Sequence, residues 1–192
     1  MITSLSQLKE YVAADLYRYA TCVTARAFVR CWFTPGFRYS FFLRCCQFSA
    51  RNYKGPLFVL LFFILRHYQF KYGISIHYTT EVGKGLYIGH FGGIIVNPSA
   101  RIGQNVNFSP NVLLGLSYNS ELKKFEFPVI GDRVYLGNGV KVIGGVTIGD
   151  DALVGAGAVV TKDLPAKAVA VGIPAKMISQ KGSSEYVGSY IS

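Results

Sequence analysis

Histidine, acid and long apolar runs are all scarce in this chain of 192 residues, and each scarcity narrows what the chain can do. His67, His77 and His90 are the whole histidine supply. A catalytic zinc centre built on imidazoles needs several of them converging on one ion, so metal chemistry is a poor fit and no metal is expected. Four cysteines, Cys22, Cys31, Cys45 and Cys46, lie near the start without CxxC pairing or a neighbouring histidine. That pattern argues for buried thiols in a reduced setting rather than for a disulfide frame. The longest apolar run, Leu57 to Leu65, has nine residues, too few to span a bilayer. Residues 1–20 hold no uninterrupted apolar core of the secretory kind, so a cytoplasmic location is expected.

Acid is scarcest in residues 1–75, which hold ten Lys and Arg against Glu10 and Asp15. This basic preface, residues 1–73, reads as helical. Ser4 or Ser6 is placed to cap a helix over Leu5 to Arg18, and a second is expected over Cys22 to Phe33. Pro35-Gly36 reads as a break, with helices following over Tyr39 to Tyr53 and Leu57 to Tyr72. The bland reading of Leu57 to Leu65 is a buried helix or a subunit contact. The sharper reading is a peripheral contact with the inner face of the cytoplasmic membrane. Aromatic residues interleaved with Arg26, Arg30, Arg38, Arg44, Arg51, Lys54 and Arg66 suit acyl chains and anionic headgroups. No nucleic-acid-binding module is present, and no such partner is expected.

What the chain does have is a six-residue period. Apolar anchors recur at Ile76, Val82, Ile88 and Ile94, then at Ile102, Phe108 and Leu114. They resume at Ile130, Leu136, Val142, Ile148, Val154 and Val160, and glycine follows many of them. A fixed short repeat marks a solenoid, and a step of six marks a parallel β-helix. Three steps make one triangular coil with anchors inward, so the fold class is mainly β: a left-handed parallel β-helix over 74–178, behind an α-helical preface. The spacing breaks twice. Two extra residues bulge near Asn97-Pro98, and an excursion leaves the prism over 116–127. Insertions in repeat arrays often form the functional face. The tail from 179 to 192 opens Gly-Ser-Ser after Lys181 and is expected to be mobile.

His90 is the candidate for chemistry. It follows Ile88-Gly89 near a corner, where side chains point outward, and Phe91-Gly92-Gly93 leaves room for an approaching group. A neutral imidazole there is able to take a proton from a hydroxyl near pH 7. His77, beside Tyr78 at a coil start, reads as structural, and His67 as an exposed or packing residue of the basic helix.

The stretch 76–178 resembles the hexapeptide-repeat acyltransferases, in their serine acetyltransferase-like branch and its polysaccharide O-acetyltransferase relatives. The resemblance is carried by Gly89-His90-Phe91-Gly92-Gly93-Ile94, Val154-Gly155-Ala156-Gly157, Val160-Thr161-Lys162-Asp163 and Gly172-Ile173-Pro174-Ala175-Lys176. It implies direct transfer of an acetyl group from acetyl-CoA to an acceptor hydroxyl, with His90 as general base and no covalent acyl-enzyme. It also implies a homotrimer with CoA between neighbouring prisms, and leaves open a hexamer joined through the preface. Carried over by position, Asn138 and Ala156 meet the pantetheine arm, Thr161 and Lys162 the nucleotide end, and Lys176 a phosphate. Gly115 approaches the thioester through its backbone.

Three departures bear on the acceptor. Where serine acetyltransferases have an aspartate that orients the histidine, this chain has Ser75. Where they have an acidic residue directly before it, the chain has Gly89. A loop histidine before proline is replaced by Phe127. With those polar partners gone, Gly89 and Phe127 suggest a roomier, aromatic acceptor site. The expected reaction is therefore acetylation of a saccharide acceptor, in a capsule, O-antigen or exopolysaccharide precursor. Serine O-acetylation is the alternative, and a non-catalytic solenoid scaffold a second one.

Overall fold

The computed structural model describes residues 2–53 and 55–191; Lys54, one of the basic residues named above, lies outside them. Helix α1 spans Leu5–Ala20, with the Ser4 hydroxyl accepting from the Gln7 amide at 3.1 Å. Helix α2, Ala25–Cys31, is shorter than expected because Thr24 caps it, accepting from the Ala27 amide at 3.1 Å. Helix α3 spans Pro35–Asn52. Pro35-Gly36 is therefore its first turn rather than a break, since proline at the first helical position has no amide to leave unpaired. Helix α4, Pro56–Tyr72, ends on Gly73 in the left-handed region at φ 61°.

Short strands then wind in threes. The first coil is β1 (Ile74–Ser75), β2 (Glu81–Val82) and β3 (Tyr87–Ile88); the second is β4 (Ile94–Val96), β5 (Arg101–Ile102) and β6 (Asn107–Phe108). In the third, β7 (Leu113–Gly115) is followed by the pair β8 (Ser117–Asn119) and β9 (Lys124–Glu126) before β10 (Val129–Ile130) and β11 (Tyr135–Leu136). The fourth is β12 (Lys141–Ile143), β13 (Thr147–Ile148) and β14 (Leu153–Val154). Then come β15 (Val159–Val160), β16 (Val169–Val171), β17 (Lys176–Ser179) and a short helix α5 (Ser184–Val187).

Every third prism strand pairs in parallel, giving three faces. The first face is β1-β4-β7-β12-β15, the second β2-β5-β10-β13, and the third β3-β6-β11-β14-β16, closed by antiparallel β17. All thirteen anchors are buried. So is a second inward series two residues earlier, including Leu86, Val106, Val112, Val134, Val140, Val146, Ala152 and Ala158. Residues two apart in extended chain share a side, so each short strand and the residue just before it send two side chains into the prism.

The helices are fastened to the first coil by polar clasps. Arg44, wholly buried, donates to both Asp15 carboxylate oxygens at 3.0 and 3.2 Å, to the Val82 carbonyl at 2.8 Å and to the Gly83 carbonyl at 2.6 Å. Asp15 in turn accepts from the Leu86 amide at 2.9 Å. The Tyr39 hydroxyl donates to the Ile76 carbonyl and accepts from its amide. Gly36 is pressed so closely on β3 that a Cβ there would lie 2.0 Å from the Ile88 carbonyl oxygen.

The tail is anchored, contrary to the mobility expected from Gly-Ser-Ser. Ser183 is buried and bonds to Arg133 and Asp151, and the Asn107 amide donates to the Tyr186 carbonyl at 3.0 Å. Buried Arg18 reaches Asn107, the Val187 carbonyl and the Gly85 carbonyl. Backbone carbonyls of the tail thus satisfy donors that would otherwise be buried and unpaired.

Candidate active site

Register fixes which residues share a corner. On the third face Ile88, Phe108, Leu136, Val154 and Ala170 are successive partners. Two residues further on, His90, Pro110, Asn138 and Ala156 therefore form one column at the corner between the third and first faces. His90 lies within two adjoining cavities, of about 340 and 550 Å³. The smaller adds Gly89, Tyr87, Asn107 and Glu185; the larger adds Gly137, Asn138, Gly155 and Ala156; Ser109, Tyr135 and Tyr186 border both. Four of the residues singled out from sequence, Gly89, His90, Asn138 and Ala156, thus line these two adjoining cavities. Lys176 pairs with Val171 at the far end of the same face. Four strand spacings separate β3 from β16, roughly 19 Å at about 4.8 Å each.

That corner suits an extended, thin ligand arm. Gly139 and Gly157 both take positive φ, 74° and 71°, and a Cβ at Gly157 would meet nothing within 4 Å. The space beside the column is therefore open, and the one basic side chain of β17 stands at its end.

Gly115, Thr161, Lys162 and Phe127 are elsewhere. Ile143 pairs with Gly115, and Val142 with Val160, so Gly115 and Thr161 share a column at the corner between the first and second faces. Lys162 follows there. Phe127 closes the excursion at the same corner, where β8 and β9 form an antiparallel hairpin with Tyr118 and Phe125 rings 5.3 Å apart. The hairpin base sits on Gly144-Gly145: a Cβ at either would come within 2.6 or 2.9 Å of Ser117 or Glu126. Within one chain the first face separates these residues from His90.

Gly89 lines the smaller cavity beside Tyr87, and a Cβ there would lie 3.0 Å from the Tyr87 ring. Tyr87 is held by the Tyr19 ring at 4.7 Å and by the Arg18 guanidinium at 5.5 Å. Ser75 faces outward on the first face opposite Ile95 and is not at the His90 corner. Among the described residues none makes a hydrogen bond to the His90 ring. His77 has a structural setting: its Nδ1 pairs with the Thr79 hydroxyl at 2.7 Å and its ring lies 4.4 Å from Tyr78. Burial and nearby Arg66 lower its pKa.

Sequence reasoning missed Tyr87, Asn107 and Tyr135, which precede their anchors and face outward from β3, β6 and β11. Their position one before the anchor was the available signal. It also missed Glu185 and Tyr186, for which the sequence offers none; the Tyr186 ring packs 5.1 Å from Tyr135.

Comparison with known proteins agrees with this geometry. The bacterial transferase hexapeptide family (six repeats) matches residues 127–162. A serine acetyltransferase of Helicobacter pylori is 34% identical over 138 residues, covering 72% of this chain and 80% of the relative. The chain belongs to the hexapeptide-repeat acyltransferases, in their serine acetyltransferase-like branch. A galactoside O-acetyltransferase of Escherichia coli is 38% identical over 119 residues, but covers 58% of this chain and 57% of that relative. The crystal structure of soybean serine acetyltransferase complexed with serine superposes with a TM-score of 0.74 at 30% identity, over 90% of this chain and 70% of that one.

Acetyltransferases of this family use acetyl-CoA, and the chain is an acetyl-CoA-dependent acyltransferase. The expectation of a saccharide acceptor is corrected by these findings. Relatives at 34–38% identity are named serine acetyltransferases, so a polysaccharide precursor is not supported. The lost polar positions do not decide the acceptor, because the cavity beside His90 is also lined by Tyr87 and Glu185, which those positions do not include.

Proposed function

We propose that this protein transfers an acetyl group from acetyl-CoA to the hydroxyl of serine. The observation that carries the reading is the 34% identity to a serine acetyltransferase over 72% of the chain, with His90, Asn138 and Ala156 in one corner column. His90 takes the acceptor proton as the oxygen attacks the thioester carbonyl, a role within reach of an imidazole near neutral pH. The pantetheine arm follows the column past Asn138 and Ala156 toward Lys176, a point charge suited to phosphate. Glu185, on the rim of the smaller cavity, is the carboxylate able to offset the amino group of the acceptor.

Gly115, Thr161 and Lys162 join the site only across an interface. The separation of the two columns within one chain favours a homotrimer, in which the corner of one protomer lies against the opposite corner of its neighbour and unites them. Thr161 and Lys162 then meet the nucleotide end and Gly115 the thioester.

The test is release of CoA thiol from acetyl-CoA with L-serine, a galactoside or no acceptor. Turnover on serine is expected, with kcat/KM lowered about 10²- to 10⁴-fold in His90→Ala. Turnover only on the galactoside, or none that depends on His90, would overturn the reading.

A further inference from the structure

The helical region carries an exposed surface that acetyl transfer does not use. On α4, Leu57, Leu60, Phe63 and Phe70 are half or more exposed, Phe63 to 64% and Phe70 to 72%, and beyond α2 Phe33 is exposed to 75%. An aromatic ladder joins these helices: Trp32 to Phe42 at 5.7 Å, Phe42 to Tyr68 at 5.2 Å and Tyr68 to Tyr72 at 5.2 Å. It ends with Tyr72 against Phe91 at 5.6 Å, next to His90 in sequence. The Arg38 guanidinium lies over both Trp32 and Tyr68. Isolated exposed apolar residues are ordinary, but contiguous ones mark a contact surface.

Charge selects the partner. Arg26, Arg30, Arg51, Arg66 and Lys71 are exposed on the same helices. The acids of residues 1–75 are Glu10 and Asp15, and both are engaged: Asp15 is buried against Arg44, and Glu10 meets Lys84 at 2.9 Å. A second copy of this face would therefore bring cations to cations with no carboxylate to answer them. A nucleic acid would neutralise the charge and stack on aromatics, but leaves Leu57, Val59 and Leu60 without an apolar environment. An anionic bilayer supplies both phosphates and acyl chains. Among the described residues no helix is long and apolar enough to cross a membrane, so the contact lies along the surface.

We infer that this face docks the protein on an anionic lipid surface, with α4 lying in the headgroup region. The experiment is sedimentation of the full chain with phosphatidylcholine vesicles, with and without about one-third phosphatidylglycerol, at low and at 0.5 M salt. Binding to the anionic vesicles alone, weakened by salt, is expected. At about 1 kcal/mol per basic residue near such a surface, Arg66→Gln with Lys71→Gln should weaken binding about 30-fold. Phe63→Ser with Phe70→Ser should weaken it at least tenfold. Both pairs are exposed, so circular dichroism and acetyl-transfer rate should match wild type. Absence of vesicle binding, or binding unchanged in both variants, would overturn the inference. So would a fall in solution mass of the Phe63→Ser, Phe70→Ser protein, which would assign the face to self-assembly.

Discussion

Arg44 offers a test of how the helices are held to the prism. Replacing it with Met keeps much of the aliphatic volume beneath the Tyr11 ring, which lies 5.0 Å from the guanidinium. It removes every donor to Asp15 except the Leu86 amide, and strips partners from the Val82 and Gly83 carbonyls. Asp15 is 1% exposed, so its charge has no solvent to turn to. Breaking a buried pair in this way costs about 3–5 kcal/mol. A chain of this length loses about 2–4 °C of Tm per kcal/mol, which gives a fall of roughly 6–20 °C. Removing both charges, as Arg44→Met with Asp15→Leu, should cost less than the two single losses added, because no bare charge remains. The assay is thermal unfolding followed by circular dichroism at one fixed protein concentration, since assembly shifts apparent stability. A single-variant fall below about 2 °C, or a double variant as damaged as the sum, would refute the reasoning.

Gly36→Ala should destabilise by about 1–3 kcal/mol through overpacking, because its Cβ would meet the Ile88 carbonyl. It should also lower acetyl transfer by shifting the strand that precedes His90, which paired stability and rate measurements would show. Burial pushes the Cys45 thiol up to about 11 and the Cys46 thiol up to about 12, while Cys22 is exposed. At pH 8, alkylation of native protein should therefore mark Cys22 first, Cys45 more slowly, and Cys46 only on unfolding, as peptide mass mapping would reveal. The sign for stability follows: both raised thiols favour the fold below about pH 9, and that contribution is lost as pH rises through 9 toward 12. Truncation after Lys181 should destabilise by uncovering Arg18 and Asn107, and should raise KM for serine more than it lowers kcat if Glu185 faces the acceptor.

The prism was legible because its core repeats with the geometry of the coil. Every anchor from Ile76 to Val160 is inside, and counting in sixes already places His90, Asn138 and Ala156 at equivalent corners. Period alone hid the second inward series at Leu86, Val106 and Val134, which follows from strand alternation rather than from the coil. The start of α3 was misread because Pro35-Gly36 resembles a turn, whereas Gly36 is there for contact with β3. The tail and the Arg44 clasp were not legible at all. Their partners lie 29 to 169 residues away, and no local pattern records a bond of that span. The acceptor was misjudged from three positions of the repeat alone, whereas the cavity beside His90 is also lined by Glu185 and Tyr186 of the tail.

The hairpin β8–β9 leaves the prism after Gly115 and rejoins it at Val129, yet the coils above and below pair as though it were absent. Val129 and Ile130 are in direct register with Arg101 and Ile102 on one side, and with Thr147 and Ile148 on the other. The length of this excursion is thus uncoupled from the register of the coil, while its base stays tied to Gly144-Gly145. The tip of the hairpin is a free variable: it can be lengthened or shortened while the frame that positions His90 stays constant. A scaffold of this kind lets the excursion change without each step passing through a misfolded intermediate, and it marks residues 116–127 as the place where a new loop can be grafted beside the coil.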